Sequence, residues 1–196
     1  MFKNQASHVA AYSFHKDRNF FKNYIISNYL SVTPINGFYR NIASQILEKV
    51  ELNLKYLYLS EQDLTFEELK IFNSEKLHTA GFHNVIITNF KETTFAKIAE
   101  TFPNVPQLFL KGYSISTNTM KELTLINNVK KIKNYVVFED IEEYFDPKFF
   151  INFLKVTCIP KAIFKFGFSA AFPPNLKDTF MESLKDNNDG YEIVLK

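Results

Sequence analysis

The sequence predicts an α/β fold: a short solenoid with a parallel curved sheet, outer helices and an N-terminal helical cap. A β-prone apolar run, a loop and an amphipathic helical pattern recur five or six times along the chain. One apolar position can be taken as equivalent in each run, and these positions are almost evenly spaced: Leu59, Ile87, Leu110, Phe138, Phe166 and Leu195. A strand after every helix implies parallel strands joined by helical crossovers. A period of this length indicates a leucine-rich-repeat-like arrangement.

The N-terminal quarter differs from the rest of the chain. We expect residues 1–50 to form a helical cap or a degenerate module, and residues 51–196 to form the leucine-rich-repeat-like domain. Apolar residues at roughly helical spacing predict a helix from Asn19 to Leu30, and Ile42 to Val50 predicts a second, shorter helix. A cap at this end is consistent with a solenoid, because the end of a repeat array must cover its core.

Helix start signals precede the later helical patterns. Thr65 and Glu68 have the spacing of a capping box, in which each residue bonds a free amide at the helix start. Asp146 before Pro147 combines an N-cap with a proline at the first helical position. The remaining helices are expected to begin at Thr93 or Thr94, at Ser116 or Thr117, and at Asn175.

Composition restricts the class of protein. A chain of 196 residues with 46% hydrophobic content can bury the core of one sizeable domain or one short repeat array. A net charge of +2 supplies no bulk attraction to nucleic acid or to an anionic membrane. The single cysteine, Cys158, excludes an intramolecular disulfide, and no run approaches the length of a membrane span. We therefore expect a cytoplasmic or nuclear protein.

Catalytic and metal-binding patterns are weak. His78 and His83 are five residues apart, which is no usual zinc spacing, and Cys158 has no second cysteine to complete a site. The five glycines are scattered and form no phosphate-binding loop. We expect neither an enzyme nor a cofactor or metal.

Strand alternation predicts an outward-facing row. If Leu57, Leu59 and their counterparts point into the core, the residues between them point out. That predicted partner-binding row consists of Tyr58, Ile86, Phe109, Val137 and Lys165, with Val194 after them. Five of these six are apolar or aromatic, which is typical of an interface with a protein partner. Two alternatives are that residues 1–40 fold over the row, or that the register differs by one and the row is core.

A nucleic-acid interpretation has one candidate site. Lys130, Lys131 and Lys133 form the densest basic cluster, with Tyr135 nearby. With exposed aromatic side chains, this cluster could serve an RNA-associated protein. The nearly balanced charge argues against nucleic acid, because a phosphate-binding footprint usually spans several elements.

Several stretches resemble a known family. They are the segment from Leu54 to Leu69, then Glu75 to Leu77, Phe102 to Val105 and Asp146 to Phe150. The chain resembles, over roughly residues 40–185, the nematode-type family of uncharacterised F-box-associated, leucine-rich-repeat-like proteins. The resemblance implies a substrate-recognition domain, which in F-box members is tied to a ubiquitin-ligase scaffold.

One family feature is not visible. A ligase adaptor would carry an F-box near its N-terminus, a compact helical module that opens with a Leu-Pro-type motif, and residues 1–50 contain no such motif. Either the module is degenerate or missing, or this member binds its partner without recruiting a ligase.

Overall fold

The computed structural model describes residues 4–11, 24–34, 40–48, 50–88, 94–113, 117–124, 135–141, 144–157, 163–186 and 192–195. The fold is α/β with parallel strands, as predicted. The chain divides into two compact units, Met1–Thr94 and Phe95–Lys196.

The first unit contains a parallel sheet and a small second sheet. Its elements are β1 (Asn4–Ala11), β2 (Tyr24–Val32), α1 (Ile42–Leu47), β3 (Val50–Ser60), β4 (Asp63–Thr65), α2 (Phe66–Ile71), β5 (Thr79–His83) and β6 (Ile86–Thr88). Strands β1, β2, β3 and β5 are neighbours in that order and all run parallel. Strands β4 and β6 form a separate parallel pair.

The second unit repeats strand and helix in alternation. Its elements are α3 (Thr94–Thr101), which begins at the boundary, β7 (Gln107–Lys111), α4 (Thr117–Thr124), β8 (Tyr135–Ile141), α5 (Pro147–Thr157), β9 (Ile163–Phe168), α6 (Pro174–Asp186) and β10 (Glu192–Leu195). Each strand pairs in parallel with the next. The last four positions predicted to be equivalent are register partners: Leu110, Phe138, Phe166 and Leu195. That part of the predicted periodicity is confirmed.

The helix predicted from Asn19 to Leu30 is wrong where the structure describes it. From Tyr24 onward the chain is β2, and Ile26 and Leu30 are fully buried. Pairing with β3 along the whole strand decides its conformation, because a short apolar run can be satisfied by either a helix or a strand. The second predicted helix is confirmed as α1, although it ends at Leu47.

The predicted helix starts are confirmed. The Thr65 hydroxyl accepts a hydrogen bond from the amide of Glu68 (3.2 Å), whose carboxylate accepts one from the Thr65 amide (2.7 Å). Asp146 accepts a hydrogen bond from the Lys148 amide (2.9 Å) at the start of α5. Helices α3, α4 and α6 begin within a residue of the predicted positions.

Phenylalanine fills the core of the second unit. Phe150 on α5 contacts Phe166 on β9 edge to face, with ring centroids 4.7 Å apart. Phe180 on α6 lies 6.0 Å from Phe166 and 4.9 Å from Phe145. These rings are fully buried. Helices α5 and α6 therefore pack on the face of β9 opposite to Lys165.

The first unit contains a structural repeat. Tyr56–Ser60 of β3 pairs with Thr79–His83 of β5, and β4 pairs with β6 at the same offset in sequence. Glu61 and Asn84 are related by this offset too, and both have left-handed backbone conformations, with φ of 50° and 49°. The buried positions of the first copy recur in the second: Leu54, Leu57, Leu59, Gln62 and Leu64 correspond to Leu77, Ala80, Phe82, Val85 and Ile87.

Gln62 joins the turn after β3 to α1. Its side-chain oxygen accepts a hydrogen bond from the Ala43 amide (3.0 Å), and its nitrogen donates to the carbonyls of Ser60 and Glu61 (3.0 and 3.1 Å). Asn41, at the N-cap of α1, makes no side-chain capping bond. Gln62 thus supplies a capping bond that the helix does not provide for itself.

Candidate protein-binding surface

Alternation along β3 separates a core face from an outer face. Leu57 and Leu59 are buried, whereas Tyr58 between them is half-buried. The predicted orientation of these residues is confirmed, and the alternative of a one-residue register shift is wrong for this strand. We use the term outer face for the side of the sheet that carries Tyr58.

A β-bulge in β3 lies next to a second tyrosine of the outer face, Tyr56. Asn28 pairs with Leu54, but Tyr29 pairs with Tyr56, so Lys55 is an extra residue in β3. The Lys55 carbonyl accepts a hydrogen bond from the His78 amide (2.8 Å). Because of the extra residue, Leu54 is buried on the same side as Leu57. Tyr56 is exposed on the same face as Tyr58, which lies two residues further on.

Three tyrosines and a histidine gather on the outer face. The ring of Tyr29 lies 5.8 Å from that of Tyr58 and 6.4 Å from that of Tyr56. The His78 ring lies 6.5 Å from the Tyr56 ring. We name this group, Tyr29, Tyr56, Tyr58 and His78, the tyrosine surface. All its ring pairs are tilted, by 38° to 53°, so no ring stacks flat on another.

The rings lie among small polar residues. Ser31, Tyr58 and Gly81 are register partners on β2, β3 and β5. Next to them, the Ser60 hydroxyl and Nδ1 of its register partner His83 share a hydrogen bond of 3.1 Å. Lys55 in the bulge is the one formally charged side chain among the described residues from Tyr29 to Ser31, Lys55 to Ser60 and Thr79 to His83. This part of the outer face is therefore aromatic, polar and nearly uncharged.

The phenol of Tyr58 is held in its neutral form. Burial raises its pKa above the ordinary value, and the neighbouring phenols of Tyr29 and Tyr56 raise it further. Neutral tyrosines offer a large rigid contact area together with a hydrogen-bonding group, the combination that is enriched at protein interfaces.

The second unit presents a row of its own. Phe109, Val137, Lys165 and Val194 are register partners on its four strands. Phe109, Lys165 and Val194 are half-buried, while Leu108 and Phe164 beside them in sequence are buried. The predicted row is therefore correct in register across this unit.

Ile86 does not belong to the predicted row. The residue that pairs with Tyr58 is Gly81, and the residue that pairs with Leu59 is Phe82 rather than Ile87. Ile86 lies on β6, where it pairs with Asp63 and is 51% exposed. The cause is that each repeat of the first unit contains two strands, β3 and β4 or β5 and β6, and Ile86 and Ile87 belong to the shorter second strand of their repeat.

The other candidate sites offer little chemistry. Lys130, Lys131 and Lys133 lie outside the described residues, so the structure does not bear on the nucleic-acid alternative. Within the described ranges, no group of three His, Cys, Asp or Glu side chains could hold a metal ion. No helix in that part of the chain is long and apolar enough to cross a membrane.

A polar network fixes the turns beside the outer face. Arg40 Nε lies 2.6 Å from Asp63 Oδ1, and Arg40 Nη2 donates to the Asn84 carbonyl (3.0 Å). The Arg40 carbonyl accepts from the Asp63 amide, and the Gln62 carbonyl accepts from the Ile86 amide. Successive turns are therefore hydrogen-bonded to one another, which holds the ends of β3 and β5 in place.

Sequence reasoning missed four parts of this surface. The spacing around Tyr29 predicts a helix, and the predicted row includes Tyr58 but not Tyr56. The sequence indicates His78 only as a candidate for catalysis or metal binding, and it assigns Gly81 to no strand. The spacing of the buried residues was the available signal, because the pattern from Leu54 to Leu64 recurs from Leu77 to Ile87.

No protein-family model, curated protein or solved structure matches the chain.

Proposed function

We propose that this chain is a non-enzymatic protein-interaction domain that binds a partner protein on the outer face, centred on the tyrosine surface. The observation that carries the proposal is the composition of that surface. Three tyrosines and a histidine have neighbouring ring centroids 5.8 to 6.5 Å apart, and serine and glycine lie beside them. Tyrosine is enriched among the residues that dominate interface energies. Tyrosine, serine and glycine together are enriched in the binding loops of antibodies.

The finer architecture that we propose is a leucine-rich-repeat-like array. Buried positions in the first unit follow the spacing L-x-x-L-x-L-x-x-N/C-x-L, with Gln62 where the repeat has asparagine or cysteine. Gln62 also makes hydrogen bonds to the turn backbone, as a buried polar residue at that position must. In the second unit, Val105, Leu108, Leu110 and Tyr113 are buried with the same spacing. Proteins with this architecture use the open face of the sheet for binding.

Two further parts of the proposal rest on the sequence. The single cysteine and the balanced charge support a cytoplasmic or nuclear location. Substrate recognition for a ubiquitin ligase rests on the resemblance to F-box-associated proteins alone.

The test compares two tyrosines of similar exposure. Tyr56 on the tyrosine surface is 38% exposed, and Tyr144, which precedes α5 in the second unit, is 42% exposed. Tagged wild-type protein, Tyr56→Ser and Tyr144→Ser are used for affinity capture from extract of the source cells, with and without nuclease. Circular dichroism first establishes that each variant is folded.

The outcomes separate the candidate functions. A discrete protein that is retained by wild type and Tyr144→Ser but lost with Tyr56→Ser supports the proposal. Ligase scaffold subunits in the same fraction would support the adaptor role. Recovery that disappears on nuclease treatment, or that falls steeply with salt, would favour the RNA-associated alternative. Equal recovery by both variants would contradict a binding role for the tyrosine surface.

A further inference from the structure

Gly81 stands in the middle of a strand where its backbone does not require glycine. Gly112 is the glycine with a positive φ among the described residues, whereas Gly81 has an ordinary strand conformation within β5. Glycine weakens a strand interior relative to residues with a side chain. A glycine here needs another reason, and the usual one is the close approach of a neighbouring group.

That neighbouring group is the ring of Tyr58. A Cβ added to Gly81 would lie 2.7 Å from Cε1 and 3.4 Å from Cγ of Tyr58, and closer still to Cδ1. Non-bonded carbon atoms pack at about 3.5 to 4 Å. Gly81 is the register partner of Tyr58 and is buried, so the ring lies across β5 in the space that a side chain would fill.

We propose that Gly81 is a positioning residue for the tyrosine surface: its missing side chain lets Tyr58 lie across the sheet beside Tyr29. This inference rests on the proposed function only for its biological consequence, which is that position 81 sets the shape of the surface that meets the partner. A side chain at position 81 lifts the Tyr58 ring away from the sheet. The ring then becomes more exposed to solvent and moves away from the ring of Tyr29.

The test is a double-mutant cycle of Gly81→Ala and Tyr58→Ala, read by thermal unfolding. In the wild-type background we expect Gly81→Ala to lower the unfolding temperature by roughly 3 to 10 °C, the range for overpacking a well-packed site. In the Tyr58→Ala background the same change should cost nothing, because the clashing ring is absent. If Gly81→Ala alone does not fold, the double variant should still fold.

A second readout follows Tyr58 itself. The phenol of Tyr58 is titrated by ultraviolet difference spectroscopy in wild type and in Gly81→Ala. In each case the titration of the same protein with Tyr58→Phe is subtracted. A ring lifted into solvent should titrate at lower pH than in wild type, which a merely structural role of Gly81 would not produce.

Either of two results overturns the inference. One is an equal loss of stability from Gly81→Ala in both backgrounds, and the other is a Tyr58 titration that Gly81→Ala leaves unchanged. Neither readout involves a partner. If the capture experiment failed while Gly81→Ala still destabilised wild type and not Tyr58→Ala, the proposed function would be contradicted. The positioning role of Gly81 would still be supported.

Discussion

Replacing Gln62 by leucine should destabilise the first unit through the loss of hydrogen bonds, by more than the change in side-chain volume alone would. The change removes the bond to the Ala43 amide and the bonds to the carbonyls of Ser60 and Glu61. A buried amide left without its partner costs about 1 to 3 kcal/mol, and each lost carbonyl bond about 0.5 to 1.5 kcal/mol. These losses centre on about 4 kcal/mol, and burial of the leucine side chain recovers about 2 kcal/mol of it, so we expect a net loss of about 2 kcal/mol.

Gln45 provides the matched control. It lies on α1, and its side chain donates one exposed hydrogen bond to Asn41 (3.1 Å). Gln45→Leu should therefore change the free energy of unfolding by less than about 0.5 kcal/mol. Urea unfolding of both variants, followed by circular dichroism, measures the difference through the midpoint at constant m-value. If Gln62→Leu unfolded within about 1 kcal/mol of Gln45→Leu, the capping role that we assign to Gln62 would be refuted.

Three further predictions follow from single contacts. Glu68→Ala should cost about 1 kcal/mol through loss of the capping box. Burial acts to raise the pKa of Glu68, but hydrogen bonds from the Thr65 amide, the Ser44 side chain and the Thr65 hydroxyl lower it overall. Wild type should therefore be more stable than Glu68→Ala above about pH 4.5, and this difference in stability should be lost as the pH falls through the folded-state pKa of Glu68. Thermal unfolding of both proteins across about pH 3 to 7 measures the difference. Because the pKa of Tyr58 is raised, wild type should lose stability relative to Tyr58→Phe as the pH rises above about 10, in melts at high pH. Phe166→Ala should cost about 3 to 5 kcal/mol in chemical denaturation, against less than about 1 kcal/mol for Lys165→Ala on the opposite face of the same strand.

The sequence was sufficient for the register of the second unit because its strands are strongly apolar. Runs such as Tyr135–Phe138 stand out from their surroundings, and their nearly even spacing along the chain is preserved in the sheet. The same reasoning failed on β5, whose sequence Thr-Ala-Gly-Phe-His includes a glycine and has little strand propensity. Neighbouring Val85–Ile87 has the stronger β signal, yet it forms the second, shorter strand of its repeat.

Part of the tyrosine surface was beyond sequence reasoning for a related reason. Tyr29 reaches it only because β2 pairs with β3. Pairing between distant segments is not encoded in short-range periodicity. Tyr56, in contrast, shares a face with Tyr58 by strand alternation alone. Gly81 carries a signal in principle, since glycine in a strand often marks the close approach of a neighbouring group. Only the strand register identifies that group as the ring of Tyr58.

The bulge at Lys55 ties the core of the first unit to its outer face. Leu54 and Leu57 are both buried although they are three residues apart, a spacing that a regular strand cannot bury on one face. Without the extra residue, either Leu54 would turn outward or Tyr56 would turn inward. The same three-residue spacing separates Leu77 from Ala80 in the next repeat, where both are also buried. The spacing that buries Leu54 together with Leu57 therefore also leaves position 56 on the outer face.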